Sequence, residues 1–182
     1  MRVSRSAAVI SVLSSIGLVA TAALPLGQAQ AAPSLAHWSQ RTLVVSDRTG
    51  DPGWELATRR GVDVWNAAGA AVHLTSSQGG IGCEPEGTTI PVCRDVLRRG
   101  WQAATALYTG PDGHLGGARI RVDAGRRFSQ AQRDGILCHE IGHALGLDHS
   151  DVDSSCLTQG SRSTTPSVAD VENLRMTYGH RG

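Results

Sequence analysis

The chain of 182 residues contains no lysine, so all seventeen of its basic residues are arginine. Alongside abundant alanine and glycine, this reads as a coding bias rather than a functional device. An excess of either charge is also missing, since sixteen acidic residues leave a formal net charge of +1. That balance provides no basic field for nucleic acid and no patch that would hold the protein on a membrane surface. No C-x-x-C occurs, which argues against a zinc site built from the four cysteines. No serine sits in a G-x-S-x-G context, so a serine hydrolase is not supported.

The start of the chain has the composition of an export signal. Arg2 and Arg5 precede a largely apolar stretch from Ala7 to Leu24, and Ala29-Gln30-Ala31 supplies small residues ahead of a cleavage point. Residues 1–31 are therefore expected to be a secretory signal peptide and residues 32–182 one catalytic domain, with Ala32 the first mature residue. An uncleaved anchor is the alternative, but Ser11, Ser14, Ser15, Gly17 and Thr21 dilute the apolar run. The remaining length, about 150 residues, suits one domain with a real core and is too short for two. The expected setting is extracellular, with no stable membrane association after cleavage.

The chemistry concentrates in the stretch from His139 to His149, which reads H-E-x-x-H-x-x-G-x-x-H. On a helix, His139 and His143 lie one turn apart on the same face, where two imidazole nitrogens reach one ion. Glu140 projects about a third of a turn away from the first ligand, where a general base for a zinc-activated water belongs. Gly146 is able to take the left-handed conformation that ends a helix and returns His149 to the same ion. From the chain's own frequencies, accidental matches to all five fixed positions are expected on the order of 10⁻⁵ times, which disfavours a helix that merely happens to carry histidines. Three histidines leave a fourth position open, unlike a closed structural zinc site.

These residues resemble the metzincin metalloproteases, and Ser150 directly after the third histidine makes the matrixin branch the nearest likeness. The resemblance implies a secreted zinc endopeptidase with one catalytic Zn²⁺, acting on protein or peptide substrates and expected to be a monomer. It implies an α+β fold with a twisted, mainly parallel sheet, an antiparallel edge strand, a long active-site helix and a C-terminal helix. It further implies that the last strand before the active helix lies at the sheet edge above the cleft. Gly117, Ala118, Arg119 and Ile120 are on that reading the strand to which a peptide adds through backbone hydrogen bonds. His114, with Asp112 and Asp123, sits where matrixins hold calcium and a second zinc, but the full ligand set is not visible and an exposed turn histidine is the preferred reading.

The family's methionine, in a tight turn beneath the zinc, is replaced by Leu157. Leucine is close to methionine in volume and the methionine is not a ligand, so the expected cost is packing and not loss of metal. No propeptide fits ahead of the strand-like segment that opens soon after the expected cut. These two departures motivate the alternative of a catalytically weak or inactive secreted zinc-fold binding module, which an intact Glu140 argues against.

Elsewhere, Thr42 to Val45 reads as a strand, Trp54 to Ala68 as an amphipathic helix with Trp65 in the core, and Ala70 to Thr75 as a second strand. Residues 83–100 read as loop, with a short helical possibility from Arg94 to Arg99. Thr105 to Tyr108 and Ala118 to Val122 read as strands on either side of a Gly110-Pro111-Asp112-Gly113 turn. Ser129 to Gln132 is a capping box that starts the active helix at Gln130, and Ser167 to Asp170 is a second one. Val168, Val171, Leu174 and Tyr178 then form a stripe expected to be core. His37, His73 and His180 show no partner pattern. Cys83, Cys93, Cys138 and Cys156 suggest two disulfides in an exported chain. Three pairings are possible, and the short loops favour Cys83 with Cys93 and Cys138 with Cys156.

Overall fold

The computed structural model describes residues 36–179; the expected signal segment and His180 lie outside them. Apolar β-branched runs set the centre of the sheet. Leu43 and Val45 of β1 (Thr42–Asp47) and Ile90 and Val92 of β3 (Thr89–Asp95) are fully buried. With β2 (His73–Gln78), β4 (Ala103–Thr109) and β5 (Leu115–Asp123) they form one sheet of order β2-β1-β3-β5-β4. Every pairing is parallel except β4 with β5, so the sheet is mainly parallel with an antiparallel strand at one edge. With helices α1 (Pro52–Ala67), α2 (Gln130–Ala144) and α3 (Val168–Gly179), this is an α+β fold of the arrangement that the metzincin resemblance implies.

Two helices pack together against this sheet. Asp51 caps α1 by accepting from the backbone N–H groups of Gly53 and Trp54, with Pro52 in the first turn where its missing N–H costs nothing. Gly61 lets α2 approach closely, since a Cβ there would lie 2.7 Å from Ile141 Cδ1. Trp65 of α1 is fully buried and donates its Nε1–H to the Cys138 carbonyl at 3.0 Å. The core thus holds α2 by a directed bond as well as by area.

The structure corrects the sequence reading at four places. Gly117, Ala118, Arg119 and Ile120 do not form the edge, because β5 pairs with β3 on one side and β4 on the other. The Gly110-Gly113 turn folds β4 back outside β5, so the free edge belongs to β4. Residues 89–95, read as loop and helix, are β3. Strand β2 runs from His73 to Gln78, later than the apolar residues suggest, because Asn66 pairs with the Leu74 N–H at 2.9 Å and carbonyl at 2.8 Å and fixes where it starts. Val168 is exposed, whereas Val171, Leu174 and Tyr178 are buried.

Candidate metal centre and active site

Helix α2 begins with the capping box. Ser129 Oγ accepts from the Gln132 N–H, and the Gln132 side chain accepts from the Ser129 N–H at 2.9 Å. Leu137, Cys138, Ile141 and Ala144 face the core, which leaves His139 and His143 half-buried on the opposite side. The helix ends in a Schellman arrangement. The Gly146 N–H bonds to the His143 carbonyl at 2.9 Å, and the Leu147 N–H bonds to the Gly142 carbonyl at 3.1 Å. Gly146 takes φ +94°, and a Cβ there would lie 2.2 Å from the Ala36 carbonyl oxygen, so glycine is required twice over. Trp38 Nε1–H and the Tyr178 hydroxyl cap the Ala144 and Leu145 carbonyls at 2.8 and 3.0 Å, closing the helix end.

The chain then brings the exposed ring of His149 to 5.2 Å from His139 and 4.8 Å from His143, centroid to centroid. One nitrogen from each of the three rings falls within 4.8 Å of the others, so His139, His143 and His149 form a group able to hold a metal ion. The ring tautomers support the fit. His139 Nδ1 lies 2.7 Å from the Cys156 carbonyl and His143 Nδ1 lies 2.7 Å from the Leu147 carbonyl. Both Nδ1 atoms are therefore donors, which leaves the two Nε2 lone pairs facing each other at 3.0 Å. Two nitrogens bound to one tetrahedral zinc stand about 3.3 Å apart, so a cation is what this arrangement accommodates. Burial lowers the pKa of His139 to about 4 and that of His143 in the same direction, so both rings are neutral and free to ligate.

Glu140 is buried on the neighbouring face, and desolvation pushes its carboxyl up to about 7 while a hydrogen bond from Thr105 acts against that rise. The Thr105 hydroxyl on β4 donates to Glu140 Oε2 at 2.6 Å. Leu157 lies beneath α2, 1% exposed, with its Cδ2 only 2.7 Å from where a Cβ on Gly142 would be. Its turn is held by Ser155 Oγ, which accepts from the Leu157 N–H at 2.8 Å and donates to Asp170. Burial disfavours charge on Asp170, but hydrogen bonds from Ser155 and Ser167 outweigh it and hold that carboxyl below its usual range.

Disulfides join Cys83 to Cys93 and Cys138 to Cys156. His114 sits beside Asp112, its Nδ1 3.3 Å from Oδ2, and its ring meets His37 edge to face. Asp123 is buried and accepts from the Gly125 N–H in its own turn. Among the described residues, the histidine triad is the group with metal-holding geometry, and Asp112, His114 and Asp123 do not assemble into another. The Leu147 and Cys156 carbonyls carry no sequence signal, because a backbone carbonyl has no residue identity to read, and Thr105 gives none because it meets Glu140 only through the fold.

Fold and site together are similar to those of metzincin-type metalloproteases. Residues 97–179 match the family model described as Matrixin, Peptidase_M10, a span that contains β4, β5, α2, α3 and all three histidines. That match supports a zinc metallopeptidase. Two solved structures of myroilysin share the fold. One superposes with a TM-score of 0.52 at 13% identity over 80% of this chain and 86% of that one. The other gives a TM-score of 0.53 at 12% identity, covering 80% and 83%. No curated protein sequence matches the chain.

Proposed function

We propose that the chain is an exported zinc endopeptidase, with residues 1–31 its secretory signal and the domain from Ala32 the enzyme. His139, His143 and His149 hold the ion and Glu140 is the general base. The observation that carries this reading is the pair of neutral, facing Nε2 atoms beside a buried carboxylate of raised pKa. Zinc, when bound, supplies Lewis-acid chemistry: activation of a water and polarisation of the scissile carbonyl.

The chain's own residues do the rest. Glu140 takes a proton from the attacking water and returns it to the leaving amine, a role for which a carboxyl poised near neutral pH is suited. Thr105 holds one carboxylate oxygen, leaving the other to face the water. The unpaired side of β4 offers backbone groups to an extended peptide, which supports protein or peptide substrates and moves the docking strand from β5 to β4. Leu157 is buried below the helix against Gly142, in the place where the family's methionine is expected.

The test is hydrolysis of quenched fluorescent casein by the purified protein, before and after treatment with a zinc chelator. Cleavage that stops on chelation and returns on adding zinc is the expected result. Cleavage indifferent to the chelator would refute a zinc mechanism.

A further inference from the structure

The two ligands of α2 are oriented by carbonyls of different origin. The acceptor for His143 is Leu147, four residues along the same chain stretch and fixed by the helix stop itself. The acceptor for His139 is Cys156, seventeen residues away on a separate turn. Only the second needs something to bring helix and turn together. Cys156 is also the residue bonded to Cys138, the immediate neighbour of His139, so helix and turn meet through a covalent bond and a hydrogen bond one residue apart. The other directed contacts of the turn run elsewhere: Cys156 N–H to the Thr165 carbonyl, Ser150 N–H to the Leu157 carbonyl, and Ser155 to Asp170 of α3.

We propose that the Cys138–Cys156 disulfide sets the metal affinity of the site by clamping the Cys156 carbonyl against His139 Nδ1, so that zinc binding and oxidation of this cysteine pair are coupled. The proposal rests on the zinc reading above. Forming the bond joins two Sγ atoms and releases two protons and two electrons, which a disulfide oxidant takes up as it becomes two thiols. Without the bond, the turn keeps its ties to the following loop and α3 and the packing of Leu157 beneath Gly142, but it loses its covalent tie to α2 beside His139, and the Cys156 carbonyl is no longer clamped to that ring. Loss of such an outer partner costs on the order of 10–100-fold in metal affinity. Linkage makes the effect reciprocal: bound zinc stabilises the disulfide by the same factor. Cys138 is 0% and Cys156 2% exposed, so in the folded protein the bond is shielded from bulk thiols and the coupling is established as the chain folds.

The experiment measures zinc affinity by competition with a chromophoric chelator for the wild type, a Cys138→Ser/Cys156→Ser variant and a Cys83→Ser/Cys93→Ser control. The serine pair removes the clamp without leaving thiols that bind metal, and the control removes a disulfide remote from the ligands. The clamp variant is expected to bind on the order of 10–100-fold more weakly while the control stays within about twofold of wild type. Equal affinity in all three, or equal loss in both variants, overturns the proposal. A folded wild type that binds no zinc refutes the zinc reading instead. Should the serine pair not fold, a Cys138→Ala/Cys156→Val pair, which refills the buried site with apolar atoms, takes its place, with the same weakening of about 10–100-fold expected. Wild-type affinity in that folded pair contradicts the coupling.

Discussion

The Thr105 hydroxyl reaches across from the edge strand to Glu140, 2.6 Å from Oε2, and so ties the proposed base to the strand proposed to hold the substrate. A hydroxyl has one proton to give, and the carboxylate oxygen is nearer than the Glu140 carbonyl at 3.1 Å. Hydrogen bonds to charged groups contribute about 1.5–3 kcal/mol. Thr105→Val is therefore expected to lower kcat by about 10–100-fold with KM little changed, and Thr105→Ser to restore most of it. Steady-state kinetics on a fluorogenic peptide read both numbers. A valine variant with wild-type kcat would show that the bond does not position the base.

Leu157 fills the space that a side chain at Gly142 would need. A methyl at Gly142 would collide with Leu157 Cδ2 and with Trp65 Cζ2, at 2.7 and 2.8 Å, both on buried side chains. Gly142→Ala should destabilise the fold by about 1–3 kcal/mol in denaturant unfolding. Leu157→Met, a near-isosteric exchange, should cost less than about 1.5 kcal/mol and leave zinc stoichiometry unchanged. Loss of zinc from the methionine variant would mean that the turn is matched to leucine more tightly than packing alone explains.

The raised pKa of Glu140 makes a signed prediction for the zinc-free protein. With a folded value of about 7 against an ordinary 4.5, the native state binds more protons than the unfolded state between those limits, so this group makes stability fall as pH rises through them. Glutamine mimics the protonated acid and does not titrate. The stability advantage of Glu140→Gln over wild type should be near its minimum at pH 4 and grow to about 3 kcal/mol above pH 7. Chemical denaturation across that range, with zinc removed, measures the difference. A pH-independent difference would show that burial does not perturb the carboxyl.

The convergence of His139, His143 and His149 into a group able to hold a metal ion was legible in the sequence, because helix geometry alone brings the first two together and one glycine turns the chain back to the third. The start of α2 at Gln130 was legible for a similar reason, since a capping box is a local device. Strand β3 was hidden by Pro91, a residue that argues against an interior strand. The carbonyls of Thr88 and Val92 accept from Val44 of β1 and from Arg48 just beyond it, so the alternate residue Pro91 faces β5, whose ladder begins only at Val92, and its missing N–H breaks no bond there. Polar Ser76, Ser77 and Gln78 concealed the end of β2, because an exposed edge strand needs no alternation. Which strand takes the other edge depends on how a hairpin folds back, and the alternation of Ala118 to Val122 carries no information about neighbours.

The most direct measurement is casein hydrolysis by wild type and Glu140→Gln at matched zinc occupancy. If Glu140 is the base of a zinc endopeptidase, the variant binds one zinc as the wild type does and its kcat falls by about 10²–10⁴-fold. Equal turnover by the two zinc-loaded proteins would contradict the assignment of Glu140 and the mechanism built on it.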